Sequence, residues 1–477
     1  AFLDVVMNDG DINRPKEAAK FLGMGKVKNI YSSSEAFAAL KEDGSVVSWG
    51  DDDISGPLYW RIPEYINTNI KEIIPANRAF TALKNDGSIF TWGEYDDYDK
   101  LKRFFKNFKS KVKTIYTNKY SYVALTEAGS VFTWEIDYFN YDKRDLNYGH
   151  DSSKVADKIR SNVVKIFSND YSYAALKKNG SVVTWGVDEA GGDSSMFSNQ
   201  LKNNVKSIYS TCCAFAALKN DGSVVSWGDI TGEYSSHFYN NYNQVKNKLT
   251  KNVKKIFSNK YSFAALKKDG SVVTWGNIYK GADSSSLNKY LQKDVVNILT
   301  VEDAFFAFKK DGSVIIWGTS QFNKSFYPIA SQIKSIKIYL PALPYLKNIT
   351  NIYSNPKSFI AVKKDKSITT WGSFDNGANT INVSKLLEKG IKKVASNQYG
   401  YAALMKDNSV ITWGNNDYIK MNKNQSQLLK KDVKEIYSNL FAFVALKKDG
   451  SVITWGNKDF GGDSSHLSHL LKSVVNH

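Results

Sequence analysis

Short runs of apolar residues recur along the chain in a fixed order. Residues 27–50 read VKNIYSSSEAFAALKEDGSVVSWG, and this segment returns as VKKIFSNKYSFAALKKDGSVVTWG at 253–276 and as VKEIYSNLFAFVALKKDGSVITWG at 433–456. Each copy holds three runs of β-forming residues, which in the first copy are 27–32, 36–41 and 45–49. The pattern predicts three short strands per copy.

The middle run is apolar or small on both of its faces. In the first copy it reads Phe37-Ala38-Ala39-Leu40, and the third run contains Val46-Val47 before Trp49. A strand with one face in water alternates between polar and apolar residues, so each small sheet is expected to be covered on both sides. Neighbouring copies are therefore predicted to stack face to face.

A turn signal separates the second run from the third, and a helical signal follows the third run. Asp43-Gly44 stands between two apolar runs, which predicts a hairpin with a type I′ turn. Asp365-Lys366 and Asp407-Asn408 are weaker versions of the same signal. After the third run, Gly-Gly-Asp-Ser-Ser at 191–195 and 461–465 predicts a helix start capped by Asp or Ser.

The copies end in tryptophan, and ten of them are present. Their spacing is 42 or 43 residues except after copies three, five and seven, where the connections 135–160, 229–250 and 319–348 are enlarged. This regularity predicts a single repeat domain over residues 1–477. A large aromatic residue at one fixed position indicates packing between repeats, in preference to aromatic cages for ligands. The tryptophans are Trp49, Trp92, Trp134, Trp185, Trp227, Trp275, Trp317, Trp371, Trp413 and Trp455.

The repeated pattern A-F-A-A-L-K-x-D-G-S-V-V-T-W-G resembles the superfamily of the regulator of chromosome condensation repeats. Its compact unit is most similar to the β-lactamase inhibitory protein branch and to bacterial effectors with such repeats. The resemblance implies an all-β fold: a β-propeller-like ring of ten to eleven three-stranded blades of about 42 residues, each with a short helical connection. Segments 1–26 and 457–477 would then complete one closing blade. An open superhelical array is the alternative.

The same resemblance implies a non-enzymatic scaffold that binds a protein partner through loops and one rim. A bacterial secreted or host-directed effector is the favoured setting. Modulation of a small GTPase by guanine-nucleotide exchange and carbohydrate binding by a lectin-like propeller are the alternatives. A shared fold does not choose among these functions.

Two sets of residues are candidates for partner binding. Insertions in a repeat array often carry the binding face, and aromatic side chains dominate protein contacts, so the enlarged connections are expected to dock the partner. Tyr148 and Tyr242 lie in the same connections. The docking candidates are Tyr138, Phe139, Tyr141, Tyr234, Phe238, Tyr239, Phe326, Tyr327, Tyr339 and Tyr345.

A lysine follows the second run in eight of the ten copies. Repetition is expected to place these lysines on one basic rim, which either steers an acidic partner or guards the short hairpins and keeps them soluble. The rim consists of Lys41, Lys84, Lys177, Lys219, Lys267, Lys309, Lys363 and Lys447.

Composition narrows the function further. The chain carries a net charge of +17, but only six of its 64 basic residues are arginines. Because lysine recognises base edges less well than arginine does, this composition argues against a nucleic-acid partner. Adjacent Cys212 and Cys213 exclude a disulfide framework and indicate small buried residues. No apolar run reaches the length of a membrane span. The sequence predicts no catalytic residues, metal site or cofactor.

Overall fold

Every repeat forms a sheet of three antiparallel strands. The computed structural model describes residues 26–51, 69–93, 111–135, 147–229, 241–301, 304–318 and 347–471. It contains ten such sheets, each with its strands in the order first, second, third. The predicted all-β repeat of three-stranded units with short helical connections is confirmed.

The strands have nearly constant lengths. First strands are Val27–Ser32, Ile70–Pro75, Val112–Thr117, Val163–Ser168, Val205–Ser210, Val253–Ser258, Val295–Val301, Ile349–Asn355, Ile391–Asn397 and Val433–Ser438. Second strands are Ala36–Lys41, Ala79–Lys84, Ser121–Thr126, Ser172–Lys177, Ala214–Lys219, Ser262–Lys267, Ala304–Lys309, Ser358–Lys363, Gly400–Met405 and Ala442–Lys447. Third strands are Val46–Gly50, Ile89–Gly93, Val131–Glu135, Val182–Gly186, Val224–Gly228, Val272–Gly276, Val314–Gly318, Ile368–Gly372, Val410–Gly414 and Val452–Gly456.

The described parts of the connections contain only short helical segments. The α-helices are Ala156–Ile159, Ser198–Leu201, Tyr242–Val245, Asn288–Leu291, Ser384–Leu387, Asn416–Ile419, Lys423–Leu428 and Ser468–Leu471. The 3₁₀-helices are Ser153–Val155, Ser195–Phe197, Lys246–Leu249, Ile278–Lys280, Ser285–Leu287, Phe374–Asn376 and Ser465–Leu467. Asp188–Gly192 and Lys458–Gly462 form wider helical turns.

Two compact units divide the chain at residues 107/108 and 384/385. The first unit holds repeats 1, 2, 9 and 10, and the second holds repeats 3 to 8. Within the first unit sheet 10 packs directly on sheet 1, where the Val27 N–H donates to the Gly450 carbonyl at 3.3 Å. No eleventh sheet stands between them among the described residues, and 457–471 form an ordinary connection. Residues 1–25 and 472–477, predicted to help close a ring, lie outside the described part, so ring closure stays a prediction.

Within each unit, a large face of one sheet packs on a small face of the sheet before it. Phe215 and Trp227 of repeat 5 contact Ala174 and Leu176 of repeat 4, and all four side chains are buried. Repeats 10 and 1 show the same arrangement, with Phe37 and Trp49 against Ala442 and Val444 of the tenth repeat. The prediction that each sheet is covered on both faces is confirmed for these pairs, since second strands are buried on both sides.

The terminal tryptophan stacks on the aromatic ring that faces it across the hairpin. Centroid distances run from 5.1 Å for Phe263 and Trp275 to 5.6 Å for Phe37 and Trp49. The same pair is present in nine repeats. Packing between repeats therefore accounts for these tryptophans, as predicted. The stacked tryptophans are Trp49, Trp92, Trp134, Trp185, Trp227, Trp275, Trp317, Trp413 and Trp455.

In four repeats a glycine of the preceding connection locks this stack. The Trp227 indole N–H donates to the Gly191 carbonyl at 3.1 Å, and Trp49 bonds in the same way to Gly461 at 3.2 Å. Gly191 has a φ of +88°, and a Cβ there would lie 2.9 Å from the Phe215 ring. Glycine is required at this point both by the backbone conformation and by the close approach. Trp185 and Trp317 bond to the matching glycines, Gly149 and Gly281.

The hairpin turns differ from the predicted type I′ form. Gly44 has a φ of +80°, whereas Asp43 is not among the residues with positive φ. The Gly44 N–H donates to the Lys41 carbonyl, which closes a four-residue turn over 41–44 whose last residue is left-handed. This is the arrangement of hairpins with three-residue loops. Lys366 and Asn408 stand where other repeats have glycine, and they adopt similar positive φ angles of 72° and 65°.

Aspartate shapes the turn by accepting hydrogen bonds from the following serine. Asp43 Oδ1 accepts from the Ser45 N–H at 2.9 Å and from the Ser45 hydroxyl at 2.6 Å. Ahead of the short helices, Asp193 accepts from the Ser195 N–H at 2.8 Å in an Asx turn, whereas Ser194 at the N-cap position makes no side-chain cap bond.

Substituting the locking glycine is expected to destabilise the fold. Gly191→Ala forces a left-handed φ on alanine and pushes its Cβ against Phe215, which predicts a loss of about 1–3 kcal/mol in the free energy of unfolding. Chemical denaturation monitored by tryptophan fluorescence measures this change. Met196→Ala is the control, because the Met196 side chain is 88% exposed and its loss should leave the transition unchanged. Equal stability of the Gly191→Ala protein and the wild type would contradict the proposed lock.

Candidate functional site

A polar pocket lies where four first strands end in the second unit. Its volume is about 550 Å³, and repeats 3, 4, 5 and 6 each contribute the last residue of the first strand and the two residues after it. We call it the turn pocket. Its lining residues are Thr117, Asn118, Lys119, Ser168, Asn169, Asp170, Ser210, Thr211, Cys212, Ser258, Asn259 and Lys260.

Hydrogen bonds between neighbouring repeats hold the wall of the turn pocket. The Ser168 hydroxyl donates to the Thr117 carbonyl at 3.0 Å, and the Ser210 hydroxyl donates to the Ser168 carbonyl at 2.7 Å. Main-chain bonds continue the series, since the Cys212 N–H donates to the Lys260 carbonyl at 2.8 Å. The wall is therefore fixed by polar groups of the same repeat positions that line it.

Asparagine carboxamides brace three of the four turns from within. Asn169 Oδ1 accepts from the N–H groups of Tyr171 and Ser172 at 3.0 and 2.7 Å, and its amide donates to the Ala190 carbonyl at 2.7 Å. Asn118 and Asn259 bond in the same way. These carboxamides are committed to the fold, so recognition in the pocket falls to its charged residues.

Asp170 is half-buried between two exposed lysines. Burial raises the pKa of its carboxyl group above the usual value, and the charges of Lys119 and Lys260 oppose that shift. No described residue donates a hydrogen bond to this carboxylate. A desolvated charge of this kind is typical of functional sites. The turn pocket therefore presents one carboxylate and two ammonium groups that are able to bind charged or hydrogen-bonding groups of a partner.

Tyrosines pack behind the turn pocket. Tyr120 stacks on Tyr148 and on Tyr171, with centroid distances of 4.5 and 5.7 Å. Burial is the main cause of the raised pKa of Tyr171. Tyr148 was expected in a docking loop, but its ring belongs to this cluster. Tyr242 likewise packs against Trp275 at 6.4 Å, so both tyrosines support the fold.

The adjacent cysteines are buried and free, as the sequence predicted. Cys213 donates a hydrogen bond to the Cys212 sulfur at 2.9 Å. This bond, together with burial, raises the pKa of the Cys213 thiol. A raised pKa keeps the thiol protonated and unreactive at neutral pH.

The predicted basic rim has an internal role in five repeats. The Lys309 ammonium group donates to the Tyr290 carbonyl at 2.6 Å, and Lys219 donates to the Gln200 carbonyl at 2.8 Å. In every case the acceptor lies nineteen residues earlier, in the last turn of the short helical segment before the repeat, where a positive charge is favourable. The other three pairs are Lys177 with Lys158, Lys267 with Lys248, and Lys447 with Leu428.

These lysines differ in how far they are exposed. Lys41 and Lys447 are buried, at 1% and 8% exposure, and Lys84 and Lys363 are half-buried. Burial is the main cause of the lowered pKa of Lys447. A role of these eight lysines in steering a partner stays a prediction.

Other lysines are exposed, and the repeat pattern gave no prediction for them. They occupy the second and third residues of the first strands, where both positions face solvent. The signal was present, because lysine stands at the second position in seven repeats: Lys28, Lys71, Lys113, Lys206, Lys254, Lys392 and Lys434.

The ten predicted docking aromatics lie outside the described residues, since they fall in 136–146, 230–240 and 319–346. In the described part, no three histidine, cysteine or acidic side chains are grouped so that they would hold a metal ion. No helix among the described residues has the length and apolar character needed to cross a membrane.

Removing one helix-capping ammonium group is expected to weaken the fold modestly. Lys309→Met should lower the free energy of unfolding by about 0.3–1 kcal/mol, the usual contribution of a cation at a helix C-terminus. Denaturant midpoints measure the effect. Lys178→Met is the control, because Lys178 is exposed and its side chain bonds to no described residue. Equal midpoints for the two variants would contradict the capping role.

Asp170 of the turn pocket and Asp221 of a hairpin turn are expected to show opposite pH dependences. Because burial raises the folded-state pKa of Asp170, its ionisation opposes folding as the pH rises through that value. Asp170→Asn should therefore increase stability at about pH 7 and leave it unchanged at about pH 3. Hydrogen bonds from Ser223 lower the pKa of Asp221, so Asp221→Asn should decrease stability at about pH 7, with the loss fading as the pH falls through the folded pKa. Thermal midpoints across this range test both signs, and parallel profiles would contradict them.

Comparison with known proteins finds only distant structural similarity. No protein family model matches the chain, and no curated protein matches it. The CRINKLY WD40 ectodomain of the Arabidopsis thaliana receptor kinase ACR4 is 15% identical with a TM-score of 0.30, covering 62% of this chain and 96% of its own. Yeast RCC1 (Prp20), solved bound to Kap60, is 15% identical with a TM-score of 0.30 and coverages of 89% and 82%. The C-terminal domain of gp131 from bacteriophage phiKZ is 11% identical with a TM-score of 0.31, covering 94% of this chain and 95% of its own. Similarities at this level leave the ligand of this chain open.

Proposed function

We propose that this chain is a non-enzymatic repeat scaffold that binds a protein partner through its enlarged connections. The observation that carries the proposal is the contrast between sheets and connections. The sheets repeat the same stacked rings and indole hydrogen bonds, and these groups hold neighbouring repeats together. The three enlarged connections depart from the regular spacing and add further aromatic residues to the chain.

The described ends of the enlarged connections are anchored to the sheets. After repeat 3, the Tyr148 carbonyl accepts from the Asn118 amide at 2.8 Å. After repeat 5, the Asn241 amide donates to the Ala282 carbonyl at 3.0 Å. After repeat 7, the Asn348 N–H donates to the Gly312 carbonyl at 3.0 Å. Anchoring lowers the entropy that a loop loses on binding, which supports a role in recognition.

The setting of this function belongs to the same proposal. A bacterial secreted or host-directed effector is suggested by the sequence resemblance alone. A small-GTPase partner and a carbohydrate ligand are the competing functions, and no described contact favours either of them.

Exchange of one enlarged connection tests the proposal. Residues 319–348 are replaced by the ordinary connection 277–294, which carries the locking Gly281 and a short helix. The exchanged protein should fold but lose capture of its partner from a lysate, by at least about tenfold in affinity once the partner is purified. In the control, 277–294 replaces the equally long ordinary connection 187–204, and capture should be retained.

Unchanged capture after exchange of all three enlarged connections would contradict the proposal. A glycan array with several equivalent weak sites would establish the lectin function instead. Faster nucleotide release from a captured GTPase would establish exchange activity.

A further inference from the structure

The exposed lysines of repeats 3 to 6 form a row on adjacent first strands. Lys113 belongs to repeat 3, Lys165 to repeat 4, Lys206 to repeat 5, and Lys254 and Lys255 to repeat 6; we call these five residues the lysine row. All five side chains are exposed. The strands that carry them are joined by the serine hydroxyl bonds of the turn pocket and by main-chain bonds, so the spacing of the row is fixed.

Neighbouring first strands bring side chains at the third position within bonding distance. This is observed in the first unit, where Lys393 of repeat 9 and Glu435 of repeat 10 form an ion pair at 2.8 Å. The equivalent residues of repeats 3 to 6 are Thr114, Lys165, Ser207 and Lys255. Lys165 and Lys255 thus alternate with Thr114 and Ser207 at the third position, and each of the four strands carries at least one lysine at its second or third position.

The lysine row carries no compensating negative charge. The first strands of repeats 3 to 6 contain no acidic residue, and none of the five lysines pairs with a described carboxylate. In the first unit, by contrast, Glu72 and Glu435 lie on the same strands as the lysines. Within the second unit the row ends at repeat 6, since repeats 7 and 8 have Val296-Asn297 and Thr350-Asn351 at the second and third positions. In this unit the exposed lysines of the first strands are thus confined to four sheets.

Aromatic rings hold two ammonium groups of the lysine row in place. Lys165 lies 4.9 Å from the ring centre of Phe167, and Lys255 lies 4.6 Å from that of Phe257. Each contact restricts a flexible side chain while its charge stays accessible to a partner. The same contacts cover the faces of both rings, which removes them as stacking platforms for nucleic-acid bases.

We propose that the lysine row docks an acidic, extended segment of the protein partner. A segment with several carboxylates matches a fixed line of single positive charges across four sheets. The row contains no arginine, the residue whose planar fork favours phosphate recognition. This inference rests on the proposed protein-binding function and assigns to it one surface and one chemistry.

Fluorescence anisotropy with the full chain tests the docking of acidic segments. The probe is a fluorescein-labelled peptide of about 16 residues alternating glutamate and serine, and the neutral comparison alternates glutamine and serine. The acidic peptide should bind, should weaken as salt rises from about 50 to 300 mM, and should exceed the neutral peptide in affinity by at least about tenfold. Equal binding of the two peptides would overturn the inference.

Two matched triple variants locate the site. Lys113→Glu, Lys206→Glu and Lys254→Glu reverse the second position in the row. Lys28→Glu, Lys392→Glu and Lys434→Glu reverse the same exposed position in the first unit, with the same change in net charge. The first set should weaken acidic-peptide binding by at least about tenfold and the control by less than about threefold. Equal losses would show an effect of net charge alone and overturn the inference.

Two further measurements keep the result decisive. If circular dichroism shows that the glutamate variant is unfolded, the corresponding glutamine triple replaces it, with an expected loss of at least about threefold. An oligonucleotide of equal length that binds more tightly than the peptide and depends on the same lysines would assign the row to nucleic acid and overturn the inference. Unchanged acidic-peptide binding in the row variants, while partner capture still requires 319–348, would leave the proposed function standing and overturn only this surface.

Discussion

The structure depends on one asymmetry: each sheet has a face of large rings and a face of small side chains. Phe215 and Trp227 of repeat 5 fill the space left by Ala174 in repeat 4, and the Trp227 indole bonds to the glycine carbonyl of the connection between them. A face of large rings fits only against a face of small side chains, so packed neighbours all stack in the same orientation. The same contacts join repeat 10 to repeat 1.

This packing decides where sequence variation is tolerated. Second strands are buried on both faces, and the locking glycines have no space for a side chain. Sequence variation is tolerated in the connections and on the exposed side of the first strands. Lysine consequently has two distinct roles in one repeat. Lys309 at the end of the second strand caps a helix, whereas lysines in the first strand, such as Lys165, point their charge outward.

Electrostatics distinguishes turns that serve the fold from the turn pocket. Asp221 and its equivalents are stabilised as carboxylates by the serine two residues later, so ionisation favours the folded state. Asp170 occupies the other turn of the repeat, where burial makes ionisation unfavourable and only Lys119 and Lys260 compensate. The equivalent position in the four repeats is occupied by Lys119, Asp170, Cys212 and Lys260. This mixture of side chains makes the pocket polar and interrupts the repeat pattern there.

Sequence alone determined the repeat, its three strands, the burial of the second strand and the packing role of the tryptophans, because strand periodicity and a fixed aromatic position are local signals. Local signals misassigned other features. The Asp-Gly turn was expected as type I′, and Tyr148 was expected in a docking loop. Contacts with partners distant in sequence were not foreseen either: Tyr120 stacks on Tyr148, and each capping lysine bonds to a carbonyl nineteen residues earlier. The turn pocket and the lysine row were likewise decided by tertiary structure, because each combines single residues from four repeats whose proximity exists only once the sheets have stacked.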